Sequence, residues 1–79
     1  MGKSIHEIKL ERLRCLLIEA RKDAGMTQAD VAAKLGHRQA YVSKYERGKK
    51  ALGVIEFLEV AEAVGLDPAE TIKKLLNDK

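Results

Sequence analysis

The side chains best equipped to meet a partner crowd into one stretch of this chain, TQADVAAKLGHRQAYVSKYERGKK, running from Thr27 to Lys50. Counted from Gln39, residues Ala40, Ser43, Lys44 and Arg47 follow at offsets of one, four, five and eight, which puts all five on one side of a helix and leaves Val42 and Tyr45 for the other. A glutamine amide donates and accepts at once, so Gln39 suits a paired bond to adenine or a bond to another base edge. Ala40 can touch a thymine methyl, and Lys44 can reach guanine. Arg38, Arg47, Lys49 and Lys50 form a rim suited to phosphate, where charge orients a partner without reading sequence, and Ser43 can add a hydroxyl bond there. Tyr41, toward the edge of the same side, reads either as a phosphate or sugar contact or as a surface ring. Gln28 opens another helix, whose free amides and positive dipole end favour an anion, and its side chain adds a donor. Together these groups suit nucleic-acid binding, which asks for positive charge, a protruding element and readers of base edges.

The charge distribution agrees. From Lys34 to Lys50 there are six basic residues (Lys34, Arg38, Lys44, Arg47, Lys49, Lys50) against the one acid, Glu46. From Ala51 to Ile72 there are five acids and neither Lys nor Arg, so a net charge of only +3 hides a polarised chain. Other chemistries find little support. His6 and His37 sit on separate elements with neither a paired nucleophile nor an acid cluster, so no catalytic constellation is visible and no enzyme is expected. The one cysteine, Cys15, lacks partners for a disulfide or a zinc site and reads as a buried helix residue. Glycines stand singly at helix ends rather than in a phosphate-cradling loop, so no cofactor, metal or small-molecule ligand is expected. No apolar run approaches the roughly 18 residues of a membrane span, and the opening residues lack a signal peptide's apolar centre, which points to the cytoplasm.

The elements that position these residues follow from periodicity and capping. With 79 residues, 46% hydrophobic but only 4% aromatic, the chain predicts one all-α domain over 1–79. Ile5, Ile8, Leu13, Leu16, Leu17, Ala20 and Ala24 recur at helical spacing, with Ser4 and Glu7 as a capping box and Gly25 as the stop. Ile5 and Ile8 either close the core or meet a second subunit. Thr27 and Asp30 form a second box. Val31, Ala32 and Leu35 supply the next stripe, and Gly36 ends that helix before another runs from about Gln39 to Gly48. Two short helices about a glycine turn make a helix-turn-helix. Val54, Phe57, Leu58, Ala61 and Val64 predict a fourth helix ending at Gly65. Asp67-Pro68-Ala69-Glu70 opens a fifth, with Ile72, Leu75 and Leu76 as an apolar side that either closes the core or packs against a partner subunit.

The pattern Thr27-Gln28, Ala32, Leu35-Gly36, Val42-Ser43, Tyr45-Glu46, Gly48-Lys49, then Leu58, Ala61 and Gly65-Leu66 resembles the Xre/Cro family of phage and bacterial transcriptional regulators. The resemblance spans roughly residues 13 to 76. It implies a five-helix, lambda-repressor-like domain whose third helix enters the major groove of double-stranded DNA. By position it implies that Gln28 contacts phosphate, that Gln39, Ala40 and Lys44 occupy reading positions, and that Arg47 meets phosphate. It also implies that Arg21 and Glu46 pair between the first and third helices. One reading helix sees few base pairs, so a homodimer on half-sites about 34 Å apart is expected. The expected function is a sequence-specific regulator, with repression the favoured outcome. Alternatives are an antitoxin or restriction-modification controller built on the same module, and, from another class, a protein-interaction adaptor.

Overall fold

Capping decides where each helix of this chain begins. In the computed structural model, which describes residues 2–77, the helices are α1 (Ile5–Asp23), α2 (Gln28–Leu35), α3 (Gln39–Glu46), α4 (Val54–Val64) and α5 (Pro68–Asn77). Met1, Asp78 and Lys79, which the single-domain expectation takes in, lie outside the described residues. Ser4 Oγ accepts from the Glu7 amide at 3.1 Å while Glu7 Oε1 accepts from the Ser4 amide at 3.3 Å. Thr27 and Asp30 make the same reciprocal pair at 3.0 and 2.9 Å. Asp67 Oδ1 accepts from the amides of Ala69 and Glu70. Each of these satisfies amides that a helix start leaves without partners. One further cap carried no sequence expectation: at α4 the Glu56 carboxylate accepts from the Gly53 amide at 2.9 Å, half of a capping box whose other half glycine cannot supply.

The turn between α2 and α3 depends on Gly36, which stands at φ 72° while the His37 amide bonds back to the Ala32 carbonyl at 2.9 Å. A residue with a Cβ resists that left-handed geometry, so the glycine fixes the angle at which α3 leaves. Leu17, Val31, Ala32, Val42, Tyr45, Phe57, Val60, Ala61 and Val64 form the core, with α2 and α3 packed on each other and on α4 and α1.

Two expectations about burial, for Cys15 and for the α4 stripe, need correction, and the open readings of α5 and of Ile5 and Ile8 are narrowed. Cys15 is exposed, because Leu13, Leu16, Leu17 and Ala20 take the inward side of α1 and position 15 falls opposite them. On α4 the buried stripe is Phe57, Val60, Ala61 and Val64, whereas Val54 and Leu58 are exposed: Val54 lies beyond the edge of the core and Leu58 is turned off the stripe by one residue. On α5 the inward residue is Thr71, whose hydroxyl donates to the Asp67 carbonyl at 2.8 Å, and Ile72 and Leu76 face out. Ile5 and Ile8 are exposed and do not close the core.

An ion pair joins α1 to α3 through this core. Arg21 Nε donates to Glu46 Oε2 at 2.7 Å and Nη2 to Oε1 at 3.1 Å, a forked geometry, while Nη1 donates to the Met26 carbonyl at 3.0 Å. The two side chains are 12% and 5% exposed. Bonding to the Glu46 carboxylate holds the Arg21 guanidinium above its usual pKa, against the opposing effect of burial. Removing one partner leaves the other charge buried and unpaired.

Glu46→Ala is expected to cost about 3–5 kcal/mol, and Arg21→Met combined with Glu46→Leu to recover much of that loss; urea unfolding of the three proteins measures both. The Asp30 and Glu56 caps add a pH dependence. Bonding from the Thr27 amide, and from the Gly53 amide followed by Lys50, lowers the pKa of each acid. Their contribution is therefore complete above the ordinary carboxylate value of about 4 and is lost as pH falls through the lowered folded value. Asp30→Asn with Glu56→Gln should flatten the acid side of the stability profile between about pH 2 and 5.

Candidate nucleic-acid interface

The free side of α3 is built outward from the buried carboxylate. Gln28 Nε2 donates to Glu46 Oε1 at 2.9 Å, and Gln39 Nε2 donates in turn to Gln28 Oε1 at 3.3 Å. The direction of this chain is fixed by chemistry, since a carboxylate held by arginine only accepts. Gln28 must present its NH₂ inward and its oxygen outward, and Gln39 must answer with nitrogen. Gln39 is exposed and retains its oxygen and a second N–H, an acceptor and a donor side by side. The half-buried Gln28 likewise retains one N–H. Sequence spacing gave no sign of this linkage between positions 28, 39 and 46. The residue types were visible, but the angle between α2 and α3 that brings them together was not.

Around this chain, Arg38, Ala40, Lys44, Arg47 and Lys49 are exposed, while Tyr41, Ser43 and Lys50 are half-buried. Arg47 Nε donates to the Ser43 carbonyl at 3.3 Å, which lays the guanidinium along the end of α3. The amides of Gln28 and Ala29 at the start of α2 have no partner among the described residues, in keeping with the first turn of a helix.

Tyr41 belongs to a second cluster. Its ring stacks on His37 with centroids 3.9 Å apart and planes 5° from parallel, meets Tyr45 edge-on at 5.8 Å, and lies 5.4 Å from Lys50 Nζ. Its hydroxyl donates to Glu56 Oε2 at 3.3 Å, and Lys50 pairs with the same oxygen at 3.3 Å. Burial, then the Glu56 charge, raise the Tyr41 pKa, and burial with the Glu46 charge raises that of Tyr45 further. Tyr41 and Tyr45, four apart on α3, share a helix face, whereas His37 reaches Tyr41 from the turn before it, where helical spacing gives no signal. Gly36, His37, Arg38, Ala40, Tyr41, Lys44 and Lys50 line a shallow depression, with three cations around an aromatic floor. Among the described residues no helix is long and apolar enough to cross a membrane.

Comparison with known proteins agrees with this geometry. A family model described as helix-turn-helix matches residues 17–71. An uncharacterized HTH-type transcriptional regulator, y4dJ of Sinorhizobium fredii, is 38% identical over 52 residues, covering 66% of this chain and 68% of its own. The solved structure of an XRE-family like protein from Pseudomonas syringae pv. tomato superposes with a TM-score of 0.88 at 43% identity, covering 91% of this chain and 88% of that one. The restriction-modification controller protein C.Esp1396I superposes with a TM-score of 0.76 over 86% of this chain and 90% of its own; at 22% identity it shares the fold. With the family match and the helix-turn-helix geometry together, this chain belongs to the XRE-type helix-turn-helix family of DNA-binding transcriptional regulators.

Proposed function

We propose that the protein is a repressor that binds its operator as a homodimer, with α3 in the major groove and Gln39, Ala40 and Lys44 toward base edges. The observation that carries the reading is the hydrogen-bond chain from Glu46 through Gln28 to Gln39, which holds one exposed amide in a known orientation. An amide fixed in this way offers a donor and an acceptor in the plane that adenine needs, and it loses less rotamer freedom on binding. Ala40 beside it admits a thymine methyl, and Lys44 lies one turn further on. Gln28, Arg38, Ser43, Arg47, Lys49 and Lys50 serve the flanking phosphates, together with the free amides of α2. Tyr41, its hydroxyl engaged by Glu56, takes part by holding His37 and Lys50 at the edge of that surface.

The distribution of exposed apolar side chains supports the dimer. Among the described residues, Ile5, Ile8, Leu10, Val54, Ile55, Leu58, Ile72 and Leu76 are the large hydrophobic residues left exposed. All of them lie on α1, α4 and α5, which pack against one another, and none lies on α2 or α3. Apolar surface away from the cationic side suits a second copy related by a twofold axis, which leaves both reading helices free. A dimer seated across a promoter excludes other proteins from the same duplex, and repression follows from that occlusion.

If each subunit neutralises about four phosphates, log affinity for duplex DNA should fall with log salt at a slope near −7, whereas a slope near zero would refute the docking. After a preferred site is selected from random duplexes, Gln39→Ala and Lys44→Ala should each relax discrimination at a base pair by about 1–3 kcal/mol; a changed salt slope alone in Lys44→Ala would assign it to phosphate. Ile72→Glu with Leu76→Glu should shift the solution mass from dimer to monomer, and a wild-type monomer by sedimentation at the concentration that saturates DNA would remove the dimer.

A further inference from the structure

Leu10, Leu13, Arg14 and Leu17 fall on one face of α1, and that face looks at the end of α3 and the link to α4. The link turns at Gly48, φ 78°, where a Cβ would come within 3.0 Å of Arg14 Cζ and Nη1. The guanidinium thus lies flat against the link's backbone. Beside it is a cavity of about 90 Å³ lined by the buried Leu17 and Tyr45, by Leu10, Leu13 and Leu52, and by Arg14 and Lys50 among others. The Arg14 side chain makes no hydrogen bond or ion pair among the described residues, and the nearby carboxylate of Glu11 is bonded to Lys3. Lys50 is shared with Glu56 and the Tyr41 ring.

The geometry points to a binding site for a small apolar monocarboxylate, whose alkyl or aryl part enters the leucine-lined cavity and whose carboxylate forks onto the Arg14 guanidinium beside Lys50. Apolar cavities that stay dry take up hydrocarbon, and an engineered one of about 150 Å³ accepts benzene, so this smaller space fits a short branched chain and leaves the head group at the rim. The free guanidinium supplies the partner, since arginine and carboxylate match in a planar, two-bond geometry. Neither half suffices alone. A free phosphate would find no use for the leucines, and a hydrocarbon would find no use for the cation.

The bound anion would also sit beside Lys50 and reduce the positive charge that meets DNA phosphate. Carboxylate and duplex then oppose each other, and reciprocally so. The coupling rests on the docking proposed above; the binding itself does not.

Methyl-resolved NMR of the full chain titrated with 3-methylbutanoate tests the site, with acetate and the neutral 3-methylbutanamide as controls. Saturable shifts confined to Leu10, Leu13, Leu17 and Leu52 are expected, with affinity lowered about tenfold or more by Arg14→Gln and by use of the amide. Arg14→Lys, which keeps the charge, should retain part of the affinity. Well-dispersed spectra of both variants establish that they fold. Shifts that fail to saturate, that spread over Ile55, Ile72 and Leu76, or that ignore Arg14→Gln would overturn the assignment. So would a loss of duplex affinity in Arg14→Gln with no methyl response in the wild type, which would make Arg14 a phosphate contact. Repeating the titration on protein saturated with duplex at low salt should weaken carboxylate binding several-fold, and an unchanged affinity would overturn the coupling.

Discussion

One buried carboxylate organises this molecule. Glu46 sits at the last turn of α3, 5% exposed at its side chain, and four donors converge on it directly or at one remove: Nε and Nη2 of Arg21, the Gln28 amide, and through that the Gln39 amide. Such a charge is tolerated in a small core only because arginine meets it with a fork. The forked bond ties α3 to α1, and the arginine's third donor reaches the Met26 carbonyl between α1 and α2. The angle of α3 is therefore set by an electrostatic joint as well as by Val31, Val42 and Tyr45 packing beneath it.

Exposed polar and large apolar side chains are divided between different helices of the fold. α2 and α3 bury Val31, Ala32, Val42 and Tyr45, keep Leu35 and Tyr41 half-buried, and leave outside cations, amides and the small side chains of Ala29, Ala33 and Ala40. α1, α4 and α5 keep large aliphatic side chains in solvent and carry most of the acids. A single domain with this division has one cationic surface and another that water alone covers poorly.

Much of this was legible in the sequence, and the pattern of success has a physical cause. Caps and glycine stops act within three or four residues, so Ser4 with Glu7, Thr27 with Asp30, Gly36 and Asp67 gave helix boundaries that the structure reproduces. The Arg21–Glu46 pair rested on the family resemblance, and the structure contains it. Harder was the side each helix turns inward. Apolar stripes on α4 and α5 were visible, but Leu58, Ile72 and Leu76 face out because the partner helices, not periodicity, choose the buried sector. Cys15 was misjudged by residue type, since small apolar side chains are accepted on either side of a helix. The linkage of Gln28 to Gln39, and the stack of His37 on Tyr41, depend on an interhelix angle or a turn conformation to which local spacing is blind.

The direction of the amide chain has a consequence for how this regulator can diversify. Because Glu46 accepts only, position 28 must offer a donor inward, and a glutamate there would set two carboxylates against each other. Positions 28 and 39 are consequently bound to one another as a hydrogen-bonded couple, and neither is free to drift while the other stays fixed. Ala40 and Lys44 carry no such obligation, for among the described residues the Lys44 side chain makes no hydrogen bond or ion pair and Ala40 has no polar side chain. On the proposed docking, new operator preferences are most accessible through those two positions, with the glutamine couple inherited as a fixed reference against which they vary.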